Sequence, residues 1–166
     1  MSTVIIISAA IVVCILLSAF FSSSEMAFSS CNTVRLENIS EEKGKGWKRA
    51  RAALRISENF DKALSAILIG NNLVNIAASS LSSVLLILLM GSDSYAWLST
   101  IILTVLVIIF GETIPKIAAK KNSTTLAMRY SPFISVLMVV FKPVVLIVVG
   151  LVNLLTFWMK RSKEDE

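Results

Sequence analysis

The sequence predicts an all-α integral membrane fold with three transmembrane helices, a cytoplasmic helical hairpin and a bent pair of helices that is re-entrant or juxtamembrane. Composition is the first observation behind this class. The 166 residues are 55% hydrophobic and only 16% charged, whereas about 25% of residues are charged in soluble domains. The second observation is that the apolar residues form long blocks. A block of about 20 apolar residues crosses the hydrocarbon core, and it does so as a helix because lipid offers the backbone no hydrogen-bond partners.

Four apolar blocks organise residues 1–159 into one membrane domain. We predict transmembrane helices at residues 4–30, 63–90 and 95–115, and a helical pair at residues 34–61. The first block has no positively charged residue before it and no small-residue cleavage pattern after it, so we interpret it as a retained helix and not as a signal peptide. Residues 160–166 are expected to begin a cytoplasmic linker.

Lysine and arginine residues predict the orientation of these helices. Half of the 16 lysines and arginines lie within residues 34–62, and such residues concentrate in cytoplasmic loops. The N-terminus and the short loop at residues 91–94 carry none, so both are expected outside, with the C-terminus in the cytoplasm. Because the basic residues flank apolar segments, the net charge of +5 indicates orientation in a membrane and not nucleic-acid binding. We therefore expect a multi-pass protein of the plasma (inner) membrane, in contact with lipid.

The fourth apolar block, within residues 124–159, differs from the others. Basic residues flank both of its ends, and Lys142 and Pro143 stand near its middle. A lysine at the bilayer centre costs about 2.5–3.5 kcal/mol, and a proline removes a helical hydrogen bond. We therefore expect a bent segment at the cytoplasmic boundary, with Lys142 reaching the interface. The alternative is a fourth span that is kinked at Pro143 and has its tail outside.

Each predicted span contains polar residues, which are costly in lipid and therefore indicate function. In the first span, Ser22, Glu25 and Ser29 share one helix face, and Ser18 lies on the same side. The alternative is that the serines allow close helix packing and that Glu25 reaches the membrane interface.

The second span carries three asparagines close together. Asn72, Asn75 and Ser79 share a helix face, and Asn71 shares a face with Asn75 and Ser79. Their distance from the basic segment places these amides near the middle of the membrane. Interhelical hydrogen bonding is the alternative, but at about 0.6 kcal/mol per contact it does not require three asparagines.

The third span ends in the sequence GETIPK. Because Pro115 has no N–H, the carbonyl of Gly111 loses its helical partner and lies beside Glu112 and Thr113. Glycine also lets a ligand approach the backbone closely. The alternative is a helix end at which Glu112 pairs with Lys116 four residues later.

These groups are carboxylate, amide, hydroxyl and peptide oxygens, which are the hard ligands that suit Mg²⁺, Ca²⁺ or Na⁺. The chain has no histidine, which excludes a histidine-based triad, a zinc protease and the usual haem site. No nucleophile–base pair is visible, so an enzyme is not expected. Mg²⁺ requires octahedral oxygen geometry, which ligands from three separate helices are able to supply.

The motifs FSSSEMAFSS, LIGNNLVNI and GETIPK, one in each predicted span, resemble the transmembrane domain shared by the CorC and cyclin M (CNNM) proteins, called DUF21. The resemblance covers nearly the whole chain. It implies a homodimeric Mg²⁺ transporter with three transmembrane helices per subunit and Na⁺-coupled efflux by alternating access. It also implies cytosolic CBS domains in the full-length chain, which nothing in this sequence matches.

The resemblance also implies a set of site residues. The Mg²⁺ ligands would come from Ser22, Ser23, Asn72, Asn75, Gly111 and Glu112. The pathway, or the site of the coupling ion, would include Glu25, Asn71, Ser79, Thr113, Pro115 and Lys116. Which serine and which asparagine contact the ion is not determined by the motifs.

Two other functions remain open. The chain would be a membrane-anchored Mg²⁺ sensor if the site binds the ion without conducting it. A small multidrug exchanger with Glu25 as a proton site is the other alternative. It fits less well because lipophilic cations need aromatic walls and only 8% of the residues are aromatic.

Overall fold

A computed structural model describes residues 1–91, 96–147 and 150. Every element assigned in these residues is helical, in agreement with the predicted fold class. The helices are α1 (Ser2–Ser29), α2 (Thr33–Glu41), α3 (Trp47–Glu58), α4 (Phe60–Met90), α5 (Ala96–Leu106), a π-helical segment (Val107–Thr113), α6 (Ile114–Lys121) and α7 (Ser123–Val140). Residues 142–147 are helical as well.

The helix ends follow from local chemistry. The Asn32 side chain accepts a hydrogen bond from the backbone N–H of Arg35 at 2.9 Å, which satisfies one of the free donors at the start of α2. α4 ends at Gly91, where φ is +67° and the backbone N–H donates to the Ile87 carbonyl at 2.8 Å. Glycine adopts this left-handed conformation at no steric cost. The predicted loop at residues 91–94 lies otherwise outside the described residues.

Four helices in the described part of the chain are long and apolar enough to cross a membrane. They are α1, α4, the continuous helix Trp97–Lys121 and α7. Large apolar side chains point outwards from them, and Leu16, Ile76 and Val136 are each more than 60% exposed. The three predicted spans each coincide with one of these helices, and the third extends beyond residue 115. That only three of the four cross the membrane stays a prediction.

α1 packs against α4, the π-helical segment, α6 and α7. Close contact with α4 depends on Gly70, since a Cβ there would lie 2.8 Å from the Phe21 ring. On the side facing α7, the Phe20 ring makes edge-to-face contacts with Tyr130 and Phe133, at centroid distances of 4.8 and 4.9 Å. α1 is therefore the central helix, and its polar face is enclosed by its neighbours.

α2 and α3 pack on each other and on α7, with Leu36, Ala50 and Ala53 fully buried. The Ser131 hydroxyl donates to the Arg49 carbonyl at 3.2 Å, which joins α7 to the first turn of α3. A helical pair thus occupies the region predicted at residues 34–61, and its cytoplasmic location stays a prediction.

The fourth apolar block begins with α7 and is interrupted at Phe141, beside the predicted break at Lys142 and Pro143. Helical residues 142–147 follow. The rest of the predicted bent segment, apart from residue 150, and the predicted linker at 160–166 lie outside the described residues.

Candidate cation site

Three helices meet at Ser18, Asn71 and Gly111. The hydroxyl of Ser18, a fully buried residue, donates to Oδ1 of Asn71 at 2.9 Å and so connects α1 to α4. A Cβ added at Gly111 would lie 3.0 Å from the Ser18 Oγ. The absence of a side chain at Gly111 therefore allows the π-helical segment to approach α1 at the level of the asparagines.

The π-helical segment ends at Thr113, two residues before Pro115. The Ile114 N–H donates to the carbonyl of Ile109, five residues back. Such a wide turn is rare and is frequently found at functional sites. Pro115 lies in the first turn of α6 and supplies no N–H to the turn before it. The backbone is therefore irregular at the position where the sequence places Gly111 and Glu112.

A cavity of about 230 Å³ lies between α4 and the helix formed by α5 and the π-helical segment. Its polar lining consists of Asn75, Ser79, Thr104 and Glu112, and its apolar lining of Leu103, Val107 and Ile108. Residues predicted from the second and third motifs therefore share one cavity. The predicted ion site also required a serine of the first motif, and none of the residues lining this cavity comes from α1.

Two oxygen atoms in this region are buried without a hydrogen-bond partner, namely Ser22 Oγ and Asn75 Oδ1. An unsatisfied buried polar atom costs about 1–3 kcal/mol, so it needs an explanation. Asn75 Oδ1 belongs to a residue that lines the cavity. A cation or a water in the cavity would satisfy this oxygen.

Glu25 forms an ion pair with Lys116, with 3.0 Å between Oε2 and Nζ. The sequence alternative that pairs Glu112 with Lys116 is therefore not what the structure has. Among the described residues this is the only ion pair, so the Glu112 carboxylate has no cationic partner there. Its charge remains available to a cation in the cavity.

The other predicted residues lie in different surroundings. Asn72 and Thr113 are exposed in the single chain. The Ser23 hydroxyl donates to the Phe20 carbonyl at 3.0 Å, and Ser23 lines a second cavity of about 410 Å³ that also contains Pro115 and Tyr130. The structure thus brings Asn75, Ser79 and Glu112 together and leaves Asn72, Ser23 and Thr113 outside that cavity.

Two residues of this region were not among the predicted ligands, Ser18 and Thr104. Both carried a signal in the sequence, because Ser18 stands one turn before Ser22 and Thr104 stands two turns before Glu112. The Thr104 hydroxyl donates to the Thr100 carbonyl at 2.7 Å, which leaves its oxygen able to accept or to ligate.

The ligand types limit which metal the site suits. In the part of the chain that the structure describes, no three histidine, cysteine, aspartate or glutamate side chains lie close enough to hold a metal ion. The cavity instead combines a single carboxylate with neutral oxygens. Hard cations accept such a set, and a low number of ligand charges favours weak binding.

Apolar helices with outward-facing hydrophobic side chains, between which several polar side chains line a cavity, define the membrane domain of an integral membrane protein. The family described as the cyclin M transmembrane N-terminal domain (CNNM) matches residues 9–166. The chain belongs to this family, and the resemblance inferred from the three motifs is confirmed.

Relatives of known sequence agree with this assignment. The chain is 38% identical over 145 residues to a UPF0053 protein of Haemophilus influenzae. The aligned region covers 87% of this chain and 33% of that protein. It is 34% identical over 129 residues to the UPF0053 inner membrane protein YfjD of Escherichia coli, covering 78% of this chain and 29% of YfjD. The chain therefore spans about a third of the length of these relatives.

Proposed function

We propose that this chain is the membrane domain of a Mg²⁺ transporter, with Na⁺ as the coupling ion and alternating access as the mechanism. The observation that carries the proposal is the cavity shared by Asn75, Ser79 and Glu112, in which Asn75 Oδ1 has no hydrogen-bond partner. A cation bound there would satisfy that oxygen and compensate the Glu112 carboxylate.

The size of the cavity supports a partly hydrated ion. Mg²⁺ dehydrates reluctantly and usually keeps several waters, and six waters occupy about 180 Å³. A cavity of about 230 Å³ accommodates an ion with most of its hydration shell, held by Glu112 and the amide of Asn75. An ion that keeps most of its waters makes few direct bonds to the protein, so movement of the helices releases it without removing its whole hydration shell.

The packing supports movement of the ligands relative to one another. Asn75 and Ser79 lie on α4, whereas Glu112 lies on the π-helical segment, so tilting either helix separates the oxygens. Irregular helices with freed carbonyls recur in transporters. We extend the proposal to a homodimer in the inner membrane, with the N-terminus outside and cytosolic CBS domains in the full-length chain.

A flux assay tests the proposal. The chain is reconstituted into liposomes containing a Mg²⁺-sensitive dye, and a Na⁺ gradient is imposed. We expect Na⁺-dependent Mg²⁺ flux that Glu112→Gln reduces at least about tenfold, because the variant loses the charge in the cavity while keeping its shape. The matched control is Glu37→Gln, which removes an exposed carboxylate from α2 and should leave the flux unchanged.

The same assay separates transport from sensing. A chain that binds Mg²⁺ in calorimetry, with binding lost in Glu112→Gln, but shows no flux under any gradient would be a sensor, and the transport proposal would be wrong. Flux that survives Glu112→Gln unchanged would instead remove the cavity from the transport path.

A further inference from the structure

A third cavity, outside the candidate cation site, lies between the start of α3 and α7. It has a volume of about 670 Å³ and is lined by Gly46, Arg49, Thr125, Met128 and Arg129. Two of these five residues are arginines, and none is acidic. Neither guanidinium forms an ion pair among the described residues. The cavity is therefore a positively charged recess.

The packing of α3 on α7 brings Arg49 and Arg129 to the same recess, which both residues line. The hydrogen bond from Ser131 to the Arg49 carbonyl, at 3.2 Å, joins α7 to the first turn of α3. Ser131 lies two residues after Arg129 on α7. Gly46 precedes α3 with φ of +92°, and a Cβ there would lie 3.3 Å from the Met128 Cε. A side chain at residue 46 would therefore enter the recess that the arginines line.

An exposed apolar stripe continues from the recess along α7. Phe133, Val136 and Val140 follow Arg129 on the same helix face, and they are 49%, 63% and 62% exposed. Thr125 precedes Arg129 on this face by one turn. The face thus has a hydroxyl and a guanidinium at one end and partly exposed hydrocarbon side chains at the other, which is the polarity of a phospholipid molecule.

We propose that this recess binds the phosphate head group of an anionic phospholipid, whose acyl chain lies along the exposed stripe of α7. Arginine donates paired hydrogen bonds to phosphate oxygens, and the positive charge of the two guanidinium groups attracts the net negative charge of such a lipid. The proposal goes beyond the transport function and does not depend on it.

The fluorescence of Trp47 provides a local test, because Trp47 lines an adjoining cavity that shares Gly46 and Arg49 with the recess. The other tryptophans, Trp97 and Trp158, are replaced by phenylalanine. The chain is then placed in phosphatidylcholine vesicles with increasing fractions of phosphatidylglycerol, brominated near the head-group end of its acyl chains. A parallel series uses brominated phosphatidylcholine.

Because each arginine near the membrane surface contributes about 1 kcal/mol to binding of anionic lipid, we expect phosphatidylglycerol to be preferred about 30-fold over phosphatidylcholine. The preference should nearly vanish in Arg49→Gln with Arg129→Gln. The matched control, Arg51→Gln with Arg55→Gln, removes the same charge from α3 at residues that line neither cavity. It should keep the preference within about threefold.

Three results would overturn the assignment. Equal quenching by both lipids would show that the recess does not select an anionic head group. An equal loss in the control variant would reduce the effect to general surface charge. Displacement of the quencher by millimolar inorganic phosphate would show that a free phosphate occupies the recess. Circular dichroism of each variant confirms that the helices are retained.

Discussion

At the scale of single residues, Asn75 and Asn72 differ most clearly in their surroundings. Asn75 lines the cavity with an unpartnered Oδ1, whereas Asn72 is exposed in the single chain. We expect Asn75→Ala to weaken Mg²⁺ binding about 10- to 100-fold, as loss of groups around a metal typically does, and Asn72→Ala to change it little. Isothermal titration calorimetry measures both affinities. The reverse order would place the ion on the outer face of α4.

The ion pair between Glu25 and Lys116 gives a second prediction at this scale. If Glu25 binds the coupling ion, the Lys116 ammonium at 3.0 Å competes with Na⁺ for the carboxylate. Measured pairs of this kind contribute about 0.2–1 kcal/mol, so Lys116→Gln should lower the Na⁺ concentration for half-maximal Mg²⁺ flux by about 1.4- to 5-fold. Exposed Lys120→Gln is the control. An unchanged Na⁺ dependence in Lys116→Gln would remove Glu25 from the coupling step.

The choice among the asparagines also shows what could not be predicted at this scale. Residues advance by about 100° around a helix, so Asn71 and Asn75 lie about 40° apart, and Asn72 lies about 60° from Asn75. The motif therefore allowed either pair to face inwards. The Ser18 hydroxyl on α1, which binds Asn71, and the packing of Gly70 on Phe21 fix the rotation of α4. Both are tertiary contacts that the sequence does not display.

At the scale of the helices, the close approach of α1 and the π-helical segment depends on Gly111. An alanine in a helix is more favourable than glycine by about 1 kcal/mol, but its Cβ would lie 3.0 Å from Ser18 Oγ and 3.3 Å from Ser18 Cβ. Overpacking of this kind costs about 1–3 kcal/mol, so Gly111→Ala should lower the midpoint of thermal unfolding in detergent, measured without Mg²⁺.

Gly44→Ala provides the control for this experiment, because no atom lies within 4 Å of a Cβ added at Gly44. It should leave the midpoint unchanged or raise it slightly. A midpoint that rises in Gly111→Ala would mean that α1 moves away without loss, and that the contact between Ser18 and Gly111 does not hold the two helices together.

The third span shows how far helix-level prediction reaches. Pro115 correctly indicated an irregular backbone near Gly111, because a missing N–H must leave a carbonyl one turn back without its donor. The width of the irregularity, which extends over Val107–Thr113 as a π-helix, was not predictable. It depends on how Val107 and Gly111 pack between α1 and α4, and both residues are buried.

At the scale of the whole molecule, the apolar blocks predicted the helical membrane domain. In lipid, a single segment satisfies its backbone hydrogen bonds internally only when it is a helix. The number of spans is not decided in this way, since α7 also has the length and hydropathy of a span. α7 packs on α1 and α3, and a helix lying along the membrane boundary or crossing it could make both contacts.

Charge distinguishes the arrangements and leads to the last prediction. Because Lys and Arg at both ends of the fourth block favour the cytoplasm, residues 44 and 162 should lie on the same side of the membrane.

Accessibility of single cysteines measures this arrangement. The two native cysteines, Cys14 and Cys31, are first replaced by serine. Gly44→Cys and Ser162→Cys are then labelled separately with a membrane-impermeant maleimide in inside-out vesicles. Labelling of both in these vesicles, and of neither in right-side-out vesicles, is the expected result. Two candidate spans, α4 and the helix Trp97–Lys121, lie between residues 44 and 162. Two crossings return the chain to the side on which it started. Labelling of the two residues from opposite sides would therefore mean that the fourth block crosses the membrane as well.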